Sequence, residues 1–209
     1  MSQNIFSKLC IGVVVLLSAI GAFAQDHKPL SFSADSKLTK TGGQEITAGK
    51  LYIAWPKVRM DMKDVRYGFT SSVIIDYVKQ KAIAILPQYQ TYSEINLDQQ
   101  NQTMKSNLPV GPNIDASNPC ARTDWSCKKL DPQTIAGRSC EVWEIVSDKL
   151  GSITTWIDTK LNFPIKTKSA DGYILEYTNV QEGQPAPALF QVPPGYKKSA
   201  AHSESTPGR

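Results

Sequence analysis

Gly49-Lys50-Leu51-Tyr52-Ile53-Ala54-Trp55-Pro56-Lys57-Val58-Arg59-Met60-Asp61-Met62-Lys63-Asp64 is the stretch whose reading decides the fold. Leu51, Ile53 and Trp55 alternate with Lys50, Tyr52 and Ala54. Val58, Met60 and Met62 alternate with Lys57, Arg59, Asp61 and Lys63. Successive side chains of a strand point to opposite faces, so a period of two marks strands with one apolar and one wet face. Trp55-Pro56 supplies the break between the two runs. The stretch reads as a hairpin of two half-buried strands.

The same pattern continues outward. Leu30, Phe32 and Ala34 alternate with Ser31, Ser33 and Asp35. Val73-Ile74-Ile75-Asp76-Tyr77-Val78 and Ala82-Ile83-Ala84-Ile85-Leu86 are more continuously apolar, and β-branched enough to be central strands. Ile153–Asp158, Phe163–Lys168 and Tyr173–Val180 add further strands. Gly42-Gly43, Lys79-Gln80-Lys81 and Ala170-Asp171-Gly172 are the short turns of an antiparallel meander. Too few helical residues remain to cover a broad sheet, so the apolar faces are buried only if the sheet curls. The expectation is a mainly β fold of about nine to eleven strands, an antiparallel unclosed barrel. Residues 98–132 are rich in Asn, Gln, Asp, Ser and Pro. They read as a long loop, with one short helix over Leu97–Leu108, lying as a lid on the sheet.

Residues 1–24 read as a secretory signal. Lys8 precedes an apolar run from Ile11 to Phe23, and Ala22-Phe23-Ala24 offers small residues at a cleavage site. The run is shorter than the roughly 20 residues a spanning helix needs. The expected organisation is a cleaved signal over 1–24, a flexible tail over 25–29, one domain over 30–198 with 98–132 inserted as lid, and a disordered tail over 199–209. The mature protein is expected in the periplasm, soluble and monomeric. The chain carries a net charge of +4, one unit of it from Lys8, and its cations are scattered among acids. No nucleic-acid track emerges. Cys10 leaves with the signal, and Cys120, Cys127 and Cys140 meet an oxidising compartment. Two pairings compete. Cys120 with Cys127 closes a small ring, leaving Cys140 as a buried thiol, and this is the expected bond. Cys127 with Cys140 is the alternative.

The familiar catalytic constellations are missing. The two histidines, His27 and His202, lie in the expected loose ends, where neither can serve a serine or cysteine nucleophile. Asp61 with Asp64, Glu141 with Glu144, and Asp158 with Glu176 are the carboxylate pairs open to acid–base work, but their positions suit ordinary wet-face charges. No metal or cofactor is expected. What stands out instead is a set of aromatic and thioether side chains read as lying on strands. Trp55, Met60, Met62, Tyr77, Tyr89, Tyr92, Trp143 and Trp156 are the candidate lining of an apolar ligand site, and Tyr67 and Phe69 belong to the same set of strand aromatics.

Several segments together resemble the periplasmic lipoprotein-carrier (LolA/LolB-like) superfamily, in particular secreted bacterial members of unassigned role. Phe32-Ser33-Ala34-Asp35 opens the domain, and Gly49–Ile53 with Lys57–Met62 forms the first signature hairpin. Ile135-Ala136-Gly137-Arg138-Ser139-Cys140-Glu141-Val142-Trp143, Thr155–Lys166 with its Trp156-Ile157-Asp158 and Pro164, and the closing Leu189–Lys198 complete the likeness. The resemblance implies an unclosed antiparallel barrel whose concave face is lidded by short helices and loops. It implies an activity of shielding the acyl chains of a lipid or lipoprotein during transit. The well-studied carriers hold their lid with a buried arginine, a role open here to Arg59, Arg66, Arg122 or Arg138. Phe190, ahead of Val192-Pro193, reads as a plug for one end of the barrel.

The expected function is therefore a non-enzymatic carrier or binder of a hydrophobic ligand. Its partners would be lipid or lipoprotein acyl chains and an envelope membrane protein, with no nucleic acid. The alternative is a protein-interaction or sensor domain on the same fold.

Overall fold

The computed structural model describes residues 30–97, 126–147 and 151–199. From Ser31 onward the described strands form one sheet. They are β1 (Ser31–Lys40), β2 (Gln44–Ala54), β3 (Lys57–Asp64), β4 (Thr70–Asp76), β5 (Lys81–Leu86) and β6 (Thr91–Asn96), then β7 (Ser126–Ile135), β8 (Arg138–Ser147), β9 (Gly151–Asp158), β10 (Phe163–Lys168), β11 (Tyr173–Glu182) and β12 (Lys197–Lys198). The order across the sheet is β12-β6-β5-β4-β3-β2-β1-β11-β10-β9-β8-β7. Neighbours are antiparallel except β12, which lies parallel to β6. β12 and β7 end the order without pairing to each other, so the curled sheet is an unclosed barrel.

The sheet has twelve strands against the nine to eleven expected, and β7 is one that the sequence pattern did not show. β7 occupies Ser126–Ile135, so Ser126–Pro132 of the expected lid is strand. Its polar sequence is that of an exposed edge: Lys128, Lys129 and the bulge between Leu130 and Gln133 keep the edge from offering a flat ladder. The remainder of the lid, 98–125, lies outside the described residues, as does all of the expected 97–108 helix except Leu97, and as do the signal and both tails apart from Ser199. Trp55 and Tyr77 fall in turns, and Tyr67 and Phe69 in the β3–β4 loop. Tyr89 ends a 3-10 turn, Pro87–Tyr89, where proline fixes the first residue and Gln90 follows with a left-handed φ of 49°.

Alternation sorts the side chains of β1–β6 into two faces. On one, Phe32, Ile53, Val58, Ile75 and Ala82 form a fully buried row. Phe163 of β10 and Tyr177 of β11 extend this core, with ring centroids 5.1 Å apart for Phe32–Phe163 and 5.6 Å for Phe163–Tyr177. The other face is charged over β1–β3 and β10–β11. There Lys166 meets Glu176 at 3.1 Å, Lys37 meets Glu45 at 2.6 Å, and Lys50 meets Asp35 at 3.4 Å.

Over β4–β6 this second face turns apolar. The closing segment packs on it: Phe190 joins Ile74 and Ile85, flanked by Tyr52, Ala54, Ile83, Tyr92, Leu189 and Tyr196. Phe190 therefore does not plug an end of the barrel. It lies flat on the second face, because Ile74 and Ile83 face each other there and need cover. Arg59 anchors the segment by donating to the Leu189 carbonyl at 2.7 Å and to Asp61 at 2.7 Å.

Gly49 is fixed by a close approach. A Cβ at this position would stand 1.8 Å from the Asp61 carbonyl oxygen of β3. No rotamer relieves a clash with backbone, so the β2–β3 pairing must open. Gly49→Ala is expected to destabilise the domain by about 3 kcal/mol, read as a lower midpoint in urea unfolding. An unchanged midpoint would contradict the close approach.

Candidate functional site

The core face of β2–β6 is not evenly buried. Beside the closed row runs a second, Leu51–Met60–Val73–Ala84–Ser93, set by direct register pairing. Leu51 is fully buried, but Met60, Val73, Ala84 and Ser93 are only half-buried. A third row, Gly49–Met62–Ser71, is half-buried throughout. Side chains shrink along these rows, with Met60 between Leu51 and Val73 and Met62 between Gly49 and Ser71, and both methionines remain half-buried. The face thus opens progressively toward the end of the barrel that carries the β3–β4 loop.

At the opposite end Trp55 stacks on Tyr77, with centroids 5.1 Å apart and planes at 24°. Tyr77 is 9% exposed, and its hydroxyl is buried without a hydrogen-bond partner. Burial pushes the Tyr77 phenol up to about 12, so it stays protonated and able to donate.

The eight candidate lining residues separate. Met60, Met62 and Tyr77 follow the parity of the core face, and Trp55 joins them through Tyr77. Trp143, opposite Thr155, belongs to the same face farther round, with Lys129 Nζ 5.4 Å from its ring. Tyr92 lies on the second face in the Phe190 cluster. Trp156 pairs with Lys166 on that side too, and its Nε1 donates to Gln133 at 2.8 Å. Tyr89 is 65% exposed near Phe69.

Two cavities open elsewhere. One of about 370 Å³ lies over the β1–β11 bulge and is polar, lined by Ser33, Asp35, Lys50, Asn179 and Gln181 among others. Asn179 donates to Asp35 at 2.8 Å, and this bond holds the Asp35 carboxyl below its usual range. The other, about 240 Å³, lies beside Phe190, Pro187 and Ala54. Neither is lined by the eight candidates.

Sequence reasoning missed one cluster. Arg138 of β8 pairs with Asp158 of β9 and donates to Glu182 of β11 at 3.1 Å, while Lys160 reaches Glu182 at 2.8 Å. Asp158 is 1% exposed and also accepts from the Lys160 and Leu161 amides at 2.8 Å each. It shapes the β9–β10 turn while Arg138 neutralises it. Among the four arginines open to an anchoring role, Arg59 and Arg138 are the most enclosed of those described. The Gly137-Arg138 and Trp156-Ile157-Asp158 signatures converge here, so what they encode is a clamp between strands.

Cys140, beside Asp158 in the β8–β9 register, is a buried free thiol. Burial, then the Asp158 charge, pushes it above the usual thiol range. Its freedom removes the Cys127–Cys140 pairing. Register explains why: Cys127 sits opposite Ile145, five residues along β8 from Cys140. That is about 16 Å, against roughly 7 Å for the Cα atoms of a disulfide.

The carboxylates weighed as acid–base pairs go to separate partners. Asp61 binds Arg59, Asp64 binds Arg66, Glu141 binds Lys129, Glu144 accepts from Ser152, and Glu176 binds Lys166. Among the described residues no His/Cys/Asp/Glu cluster could hold a metal ion, and no helix is long and apolar enough to cross a membrane.

Arg138→Met leaves the buried Asp158 charge without its cation and is expected to cost about 3 kcal/mol, seen by chemical denaturation. Tyr77→Phe removes an unsatisfied buried hydroxyl and should hold or raise stability by up to ~1 kcal/mol. A clear loss on Tyr77→Phe would reveal a partner for that hydroxyl.

No family model and no curated protein matches the chain. Solved structures do. An uncharacterized conserved protein from Thermus thermophilus is 9% identical, with a TM-score of 0.54 over 81% of this chain and 91% of that one. MucB of Pseudomonas aeruginosa is 14% identical, with a TM-score of 0.52 over 87% of this chain and 64% of its own, so this chain spans under two thirds of MucB. A LolA superfamily protein from Nitrosomonas europaea aligns over 81% and 91% at 12% identity, with a TM-score of 0.33. At these identities the likeness is one of fold. The fold shared with the first two of these is the single unclosed antiparallel sheet.

Proposed function

We propose that this protein is a non-enzymatic periplasmic carrier or binder of a hydrophobic ligand, with lipid or lipoprotein acyl chains as the occupant class. One observation carries the reading. The core face is sealed by Ile53, Val58, Ile75 and Ala82 on one side, yet half-open around Met60, Met62, Val73 and Ala84 on the other. A core that served only stability would gain from closing this lane with larger side chains, at roughly 25 cal/mol per Å² buried. Thioethers beside small residues instead suit a flexible chain of variable shape. The signal-like sequence over 1–24 supports the compartment, and a Cys120–Cys127 bond fits it, since Cys140 is free and out of reach.

A second reading is a protein-interaction or sensor domain. It draws on the fold alone, which is shared with MucB, a protein seen in complex with MucA.

Solvent extraction of the purified protein followed by mass spectrometry tests the first reading. Lipid is expected from the wild type. Ala84→Trp, which fills the lane, should lose that lipid while its far-ultraviolet circular dichroism stays native. Extracts without lipid from wild-type protein of several preparations would remove the carrier reading.

A further inference from the structure

Eight large apolar or aromatic side chains are exposed among the described residues: Trp55, Val65, Tyr67, Phe69, Val78, Tyr89, Val146 and Tyr173. Scattered singly they would need no explanation. They are not scattered. All but Trp55 and Val78 sit at one end of the barrel, near the end of β8 or on or beside the loops that join β1–β2, β3–β4, β5–β6 and β10–β11.

These loops form a built surface. Thr41 N donates to Gly172 O at 2.8 Å, and Val65 N donates to Ile46 O at 2.9 Å, tying neighbouring turns together. The Asp64 carboxylate accepts from the Arg66 and Tyr67 amides at 2.9 and 3.1 Å, and Gly68 N donates to Asp64 O at 2.8 Å. This ordered loop holds Tyr67 80% exposed. Phe69 meets Tyr89 with centroids 6.5 Å apart, Arg66 lies 5.2 Å from the Tyr67 ring, and Lys40 lies 5.5 Å from the Tyr173 ring.

Charge selects the occupant. Lys40, Lys63 and Lys168 stand at this end with no carboxylate partner among the described residues, while Glu45 and Asp64 are neutralised by Lys37 and Arg66. Among the described loop residues at this end that leaves Asp171 as the opposing acid, itself hydrogen-bonded by Ser169. Amphipathic rings surrounded by unpaired lysines match the boundary of an anionic bilayer, where aromatic side chains settle at headgroup depth and lysines meet phosphate. A folded protein partner would more readily cover one contiguous apolar patch, rather than ring tips alternating with cations.

We infer that this end of the barrel is a peripheral docking surface for an anionic lipid bilayer, with Tyr67, Phe69, Tyr89 and Tyr173 entering the headgroup layer and Lys40, Lys63 and Lys168 holding lipid phosphates. The half-open lane of Met60 and Met62 runs out toward the same end, although docking does not depend on any cargo.

The test is co-sedimentation of the mature protein with phosphatidylcholine vesicles, with and without phosphatidylglycerol. Binding is expected only with phosphatidylglycerol, and lost at ~0.5 M salt. The double variant Tyr67→Ser/Phe69→Ser should bind about tenfold more weakly, and Lys40→Gln/Lys63→Gln/Lys168→Gln about a hundredfold more weakly at low salt. Val78→Ser, from the opposite end, should bind as the wild type does. Circular dichroism of each variant separates a lost surface from a lost fold. No wild-type binding, or equal weakening by Val78→Ser, would overturn the inference. So would a wild-type dimer in sedimentation velocity that Tyr67→Ser/Phe69→Ser dissolves, because the surface would then belong to a second copy.

Discussion

The pairing of β1 with β11 is the contact on which the rest of the fold depends. Every other long strand pair joins neighbours in the chain across a short turn. β1 instead brings Lys37 opposite Glu176 and Thr39 opposite Ile174, and so unites a seven-stranded half, β12 included, with a five-stranded half. Without it there would be two open meanders, each with an apolar face in water. Closing so distant a contact is the slow, entropically demanding step in assembling such a sheet. The residues at the junction reflect that demand. Phe32, Phe163 and Tyr177 interlock on the core face, Lys37 stands between Glu45 and Glu176 on the other, and Asn179 bonds Asp35 across the bulge.

A single sheet has no second layer to cover it, so each face is buried by a different device. Curling hides the Phe32–Ile53–Val58–Ile75 row. The second face is covered over β4–β6 by the closing segment and elsewhere carries ion pairs. Pinning is multiple: Arg59 holds Leu189 O, β12 runs along β6, Ser199 N donates to Tyr92 O at 2.7 Å, and Lys198 binds Glu94 at 2.9 Å. Lys198 in turn draws the Glu94 carboxyl below its usual range. At the far side, Arg138 and Asp158 clamp β8 to β9, and Glu182 extends the clamp to β11. The segments that carry the family likeness are largely these fastenings. They say what shape the chain takes, and much less about what it carries.

The two ends of the barrel differ in character. One has the Trp55–Tyr77 stack, the Asp158 turn and fully buried rows behind them. The other has half-buried methionines inside and, at its tips, exposed aromatics beside lysines that have no carboxylate partner among the described residues. Apart from exposed Trp55 and Val78, a stability argument accounts for the first end. The second exposes apolar surface that a purely structural design would have polar residues cover, the mark of a surface that meets a partner.

Period-two alternation, readable in Leu51, Ile53, Val58, Met60 and Met62, determined that these segments are strands and which face of β2 and β3 points inward, because side-chain parity along a strand is a local property; the short turns and the lack of covering helices then gave a curled antiparallel sheet. β4 and β5 were legible as central strands from their β-branched apolar runs, and the structure buries Ile74 and Ile75 on opposite faces. Edge strand β7 was not, since an exposed edge needs no apolar pattern. Nor was the scatter of the eight candidate residues: Tyr92 and Trp156 share composition with Met60 and Tyr77, and only register assigns them to the other side of the sheet. Tertiary structure alone decided that Phe190 lies on the second face, that Arg138 meets Asp158, and that bare aromatics gather at one end. Each of these depends on which distant strands become neighbours, and no local pattern in the chain carries that information.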